Sequence, residues 1–315
     1  MESFKCGHED AIRDVEYDYY GKRVATCSSD HQIKIYEKDE NGSWIKVQEI
    51  KHHSASVQRV AWSRPEFGPI LASSSTDLFV QIYVETDKGP NERVWKLKAK
   101  LVDSVCAVTD IAFAPLAQGL RLATCSRDGF VRVYEAMDVM NLSSWSLVEQ
   151  FRADEKDCHC IDWNESPFDP YQIVVGTRNS AKIWEYSNDY KRWQSVCLLD
   201  GHTEDIYDVV WAPKMGRKYH LIATGCKDGI VRIFKISSKG EFTVNLVAEL
   251  NQHQSPVWRV SWNVTGTILA SSGSDGTVRL WKADSEDNWR QIMVAGSGSA
   301  LQKESERNRK SLLSD

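Results

Sequence analysis

An acid or its amide returns six times along the chain in a turn setting, as Asp30, Asp77, Asp128, Asn179, Asp228 and Asp275, at intervals of 47, 51, 51, 49 and 47 residues. No other feature restricts the fold as tightly. In the best-kept copy, residues 257–282, Val257, Arg259 and Ser261 alternate with Trp258, Val260 and Trp262, the two-residue period of a strand. Thr265-Gly266 breaks that strand and Ile268 to Ser272 makes the next. Asp275-Gly276 then supplies a tight turn, and Val278 to Trp281 runs back. A meander this small cannot bury its apolar faces alone, so a chain built on it must stack copies against one another.

Other positions keep step with the turn. Six residues after it, five in the fourth copy, stands an aromatic: Tyr36, Tyr83, Tyr134, Trp184, Phe234 and Trp281. An earlier aromatic recurs as Tyr17, Trp62, Phe113, Trp163, Trp211 and Trp262. Nine residues before it comes a histidine in four copies, His8, His53, His202 and His253, with Ser104 and Asp154 in the third and fourth. A fourth strand opens at Trp44, Trp95, Trp145, Trp193, Phe242 and Trp289. These residues resemble WD repeats, and the resemblance implies an all-β, six-bladed WD-repeat β-propeller. The blades fall at about 7–51, 52–102, 103–152, 153–200, 201–251 and 252–294. Trp289 to Val294 gives the last blade its own fourth strand, and only six residues precede Gly7. No N-terminal clasp strand is left, so an open propeller with exposed apolar blade faces is expected.

At 315 residues and 42% hydrophobic content the chain can bury a large core. A formal charge of −5 gives no global pull toward nucleic acid. There is no apolar run of about 18 residues, and the N-terminus lacks the apolar segment of a signal peptide, so a soluble intracellular protein without a transmembrane segment is expected. Among the eight cysteines, Cys27, Cys125 and Cys226 stand just before turn acids, as small buried strand residues in reduced form. From Ala295 to Asp315 the composition is that of a mobile polar tail, with Lys303, Arg307, Arg309 and Lys310 clustered and Ser311 a weak phosphorylation match.

His253, Ser271 and Asp275 have the residue types of a hydrolase triad, but the set recurs as His8, Thr26, Asp30, as His53, Ser73, Asp77 and as His202, Thr224, Asp228. Catalysis needs one cleft and one nucleophile. Repetition points instead to a structural hydrogen-bonded network joining histidine, hydroxyl, acid and, in the last copy, Trp281. Cys158-His159-Cys160 lacks a second ligand pair at zinc spacing. No phosphate loop or dinucleotide fingerprint is present, so no enzyme, metal or cofactor is expected.

Longer segments narrow the family. Asp18-Tyr-Tyr-Gly-Lys-Arg-Val-Ala-Thr-Cys-Ser-Ser-Asp30, Pro65-Glu-Phe-Gly68, Asp138-Val-Met-Asn-Leu-Ser-Ser-Trp-Ser-Leu147, residues 216–229 and residues 257–282 resemble the Seh-type nucleoporins of the Y-shaped nuclear pore scaffold. The Tyr19-Tyr20-Gly21 segment is shared with the sister Sec-thirteen propeller of the COPII coat, which is the alternative reading. The resemblance implies a scaffold subunit at the nuclear envelope, supporting nucleocytoplasmic transport and pore assembly. Its partners would be an α-solenoid nucleoporin that inserts a blade into the open propeller, other Y-subcomplex nucleoporins, and a TOR-regulating complex at the lysosome or vacuole. Residues expected at the open faces are Phe4, Val15, Tyr17, Trp258, Val260, Trp262, Trp289 and Ile292.

Overall fold

The computed structural model describes residues 4–89, 92–237 and 242–296. Its contacts divide the chain into two compact units, Met1–Cys158 and His159–Asp315. Each unit holds three four-stranded antiparallel sheets, and every sheet consists of four strands consecutive in sequence. This is the six-bladed, all-β propeller class. Among the described residues the helical content is limited to two short 3-10 turns, Pro65–Phe67 and Leu116–Gln118.

The first blade is built from Ile12–Tyr17, Arg23–Ser28, Ile33–Lys38 and Trp44–Ile50. The last is built from Val257–Trp262, Ile268–Gly273, Thr277–Ala283 and Trp289–Gly296. Its sheet contains no strand from elsewhere in the chain, and among the described residues none precedes Ile12. The final strand runs two residues past the expected boundary. Ala295 pairs with Val278 and Gly296 with Thr277, so these two belong to the blade and not to a linker. The rest of the expected tail, with Lys303, Arg307, Arg309, Lys310 and Ser311, lies outside the described residues.

Second and third strands form the dry centre of each blade because both of their faces carry small or branched residues. In the first unit Ala25, Ile33, Ile35, Val60, Leu71 and Tyr83 share one core, and in the second Ala223, Val231, Ile233, Val260, Leu269 and Trp281 share another. The turn glycines are required where the chain is closest. At Gly129, φ is +80°, and a Cβ would lie 2.3 Å from the Asp154 carbonyl oxygen and 2.5 Å from that of Lys156.

A bulge in the first strand skips one residue in the first, second, third, fifth and sixth blades. Side chains on these first strands, bulged or not, link neighbouring blades. Asp14 Oδ2 accepts the Val60 amide at 3.1 Å, and the Arg59 guanidinium meets Asp110 at 3.0 Å. In the second unit Asp208 accepts the Val260 amide at 2.9 Å, and the unbulged Asp162 accepts the Trp211 amide at 2.7 Å. Glu16 accepts the Trp62 amide at 3.2 Å; burial, and then the nearby Asp14 charge, push its pKa well above the usual carboxylate range.

Candidate functional site

Two sets of residues compete for the role of site: the repeated polar networks and the exposed blade faces. The networks have the geometry of a relay. In the last blade, Trp281 Nε1 donates to Ser271 Oγ at 2.8 Å, Ser271 Oγ meets His253 Nε2 at 2.8 Å, and His253 Nδ1 meets Asp275 Oδ2 at 3.0 Å. Because the indole can only donate, the serine proton points to Nε2 and Nδ1 donates to the carboxylate. His53 bridges Ser73 at 2.7 Å and Asp77 at 2.8 Å, and His8 bridges Thr26 at 2.9 Å and Asp30 at 2.8 Å. The histidine and backbone bonds hold Asp77 at a pKa of about 2 against the opposing effect of burial.

The fifth blade departs from the expected set. His202 Nε2 reaches Thr224 at 2.8 Å, but Asp228 is held by Arg232 at 2.8 Å and Thr203 at 3.2 Å, with no hydrogen bond to the histidine. Arg232, four positions after the acid, holds that carboxylate; Lys34 and Arg279 stand at the same place in the first and last blades, where the histidine keeps its acid. In the third blade, where serine replaces histidine, Arg132 bonds Asp128 at 2.7 Å and Ser104 at 3.3 Å. In the last blade Arg279 bonds both Gln291, from Nη1 at 2.6 Å, and Asp275, from Nη2 at 3.2 Å, and Asp275 keeps its histidine as well. The Val-Arg pairs at 131–132, 231–232 and 278–279 mark in the sequence the blades where an arginine reaches the turn acid.

Ser271 is only 1% exposed, and its oxygen is held between the Trp281 indole and the His253 ring. A nucleophile needs an open approach and an oxyanion site, so this relay is a buried brace. Cys158 and Cys160 are buried, and the Cys158 carbonyl accepts Thr109 Oγ1 at 2.8 Å. No cluster of three or more His, Cys, Asp or Glu side chains suited to a metal ion occurs among the described residues.

The exposed faces carry the stronger asymmetry. Val15 is 56% exposed, whereas its register counterparts Val60, Ile111, Ile161, Val209 and Val260 are all 5% exposed or less. Ile12 and Tyr17 on the same strand are also exposed. Tyr17 and Phe4 lean on Trp44, with ring centroids at 5.8 and 5.9 Å, and Phe4 also meets Tyr36 at 5.0 Å. Together these side chains make an uncovered apolar flank on the first blade.

The last blade has an uncovered flank too, but different residues form it. Val278 is 43% exposed, against 2% or less for Ile33, Val80, Val131, Ala181 and Val231 at the same place in the other blades. Ile292 and Met293 are exposed on the strand beside it. Val260 is buried and is removed from the expected partner surface, because its strand faces the fifth blade. Trp262 is half-buried for the same reason, donating from Nε1 to the Val210 carbonyl and packing on Trp289 at 5.6 Å. Trp258 is exposed, though its ring stacks on Tyr207 at 4.6 Å and its Nε1 is pinned by Ser274 Oγ at 2.6 Å.

Comparison with known proteins agrees with this architecture. The family model described as WD domain, G-beta repeat, matches residues 2–37, 95–135, 193–235 and 244–282. The chain is 44% identical over 324 residues to nucleoporin SEH1-A of Xenopus laevis, an alignment covering 95% of this chain and 89% of that protein. It is 43% identical to nucleoporin SEH1 of Homo sapiens with the same coverage, and 42% identical to that of Danio rerio, covering 95% of this chain and 88% of the relative.

Proposed function

This chain belongs to the SEH1 nucleoporins, a WD-repeat family, and from that premise we propose that it is a non-catalytic scaffold subunit of the nuclear pore complex. Its working surface is the flank of the first blade. A partner of α-solenoid type inserts an additional blade whose sheet covers Val15, Ile12 and Tyr17. The flank of the last blade around Val278 is a second surface of the kind such a blade covers.

The observation that carries this reading is the exposure of Val15 beside five buried counterparts. The other five blades each bury a valine or isoleucine at this place, and burying one contributes roughly 1.5–3 kcal/mol. The apolar flank is left for another chain to cover, and added strands also satisfy open edge groups. The family resemblance further implies membership of a TOR-regulating assembly, which we assign to the same flank.

Co-expression with the N-terminal region of a solenoid nucleoporin tests the proposal. A complex that co-elutes with the wild-type chain and is lost with Val15→Asp, while that variant keeps its melting midpoint, supports it. A complex unaffected by Val15→Asp removes the flank from the account. The interface should bury at least about 1,000 Å² in total.

A further inference from the structure

The residue after the third-strand aromatic is Glu37, Val84, Glu135 and Glu185 in the first four blades, and Lys235 and Lys282 in the last two. Where it is glutamate, a partner stands opposite in register. Arg23 lies 3.6 Å from Glu37, Arg121 lies 3.1 Å from Glu135, and Gln172 Nε2 donates to Glu185 at 2.7 Å. Opposite Lys235 and Lys282 the register places Leu221 and Ile268. On the second-strand side both lysines therefore lack the polar partner of the earlier blades, while the fourth strand places Asn245 opposite Lys235 and Arg290 opposite Lys282.

They rim a cavity of about 220 Å³ in the second unit, walled by Leu221, Val247, Tyr219 and Trp289, with Arg217 alongside. Lys235 Nζ sits 4.2 Å from the centre of the Tyr219 ring and 2.6 Å from Asp287 Oδ2. Arg217 spends Nη1 on the Gly266 carbonyl and Nη2 on the Pro213 carbonyl, both at 2.6 Å, and its Nε is buried without a hydrogen bond among the described residues. Of the three cations only Lys235 meets a carboxylate among the described residues; Arg217 and Lys282 meet none. A chain of net charge −5 thus keeps a locally basic, aromatic-lined cavity. Its volume is below the roughly 300–1,000 Å³ of drug-sized sites and suits one or two side chains.

We propose that this cavity docks an acidic peptide of a partner protein, taking one apolar side chain against Tyr219 and Trp289 with a flanking carboxylate on Lys282. The site goes beyond the blade-insertion reading, since none of its residues belongs to the first blade. Aromatic walls select the apolar side chain, and the uncompensated cations select the charge around it.

The test is a fluorescence-anisotropy titration of a labelled Glu-Asp-Phe-Asp-Glu peptide against the full chain at low salt. Saturable binding tighter than about 1 mM is expected, weakened about fivefold or more by Lys282→Glu and by replacing the peptide phenylalanine with alanine. Lys98→Glu, at an exposed lysine of the second blade, is expected to leave it unchanged, and both variants should melt with the wild type. Absence of saturation, equal weakening by Lys98→Glu, or displacement by inorganic phosphate at concentrations similar to the peptide's Kd would each overturn the proposal, the last by reducing the cavity to a simple anion site.

Discussion

His253→Ala and His202→Ala remove the same side chain from the same place in two blades, and the structure separates their consequences. Both histidines are buried, so both substitutions leave a similar void, and both delete one bond to a hydroxyl, at 2.8 Å in each case. Only His253 also donates to an aspartate, at 3.0 Å to Asp275 Oδ2. A hydrogen bond to a charged group contributes about 1.5–3 kcal/mol, so His253→Ala should cost that much more than His202→Ala. Asp275 keeps the Thr277 amide and hydroxyl, at 3.0 and 2.8 Å, so the added cost is the lost bond and not an orphaned carboxylate. In a chain of this size about 2 °C of melting midpoint corresponds to each kcal/mol, which places His253→Ala about 3–6 °C below His202→Ala. Differential scanning fluorimetry at one scan rate reads the difference. Midpoints within 1 °C of each other would refute the claim that the acid link distinguishes the two blades.

Three further outcomes follow from the same geometry. Val60→Asp should lower the midpoint severely or prevent folding, whereas Val15→Asp, at the equivalent position of the first blade, should stay within about 0.5 kcal/mol of wild type in a denaturant titration. Gly129→Ala should cost several kcal/mol because its Cβ meets two backbone carbonyls at positive φ; Gly21→Ala, also at positive φ but with nothing within 4 Å, should cost only about 1 kcal/mol in the same assay. Burial, and then the Arg232 charge, depress the His202 pKa from 6.5 to about 4. The unfolded chain then binds the extra proton first, so the stability this histidine supports is complete above pH 6.5 and is lost as pH falls toward 4. His202→Gln should flatten the midpoint-versus-pH curve in that window.

The blade count, the strand order and the histidine networks of the first, second and last blades were legible because each is repeated, and repetition lets a weak local pattern be checked against its copies. Two things were not legible. Alternation along 257–262 shows which side chains share a face but not which neighbour that face meets, so the pattern alone assigns Val260 and Trp262 to an open surface, whereas they pack toward the fifth blade. The residue that is exposed, Val278, has the same place in its strand as buried Ile33, Val80, Val131 and Val231, and only its exposure distinguishes it. The exchange of Asp228 from histidine to arginine depends on which donor wins a shared carboxylate, and that is a matter of distances that spacing does not carry.

Hydrogen–deuterium exchange on the chain alone and with a solenoid nucleoporin bound tests the account most directly. Added protection is predicted over Ile12–Tyr17, around Val15, with a second zone at Thr277–Ala283 around Val278. Protection elsewhere in the chain, with Ile12–Tyr17 unchanged on binding, would contradict the claim that the uncovered first-blade flank is where the scaffold partner docks.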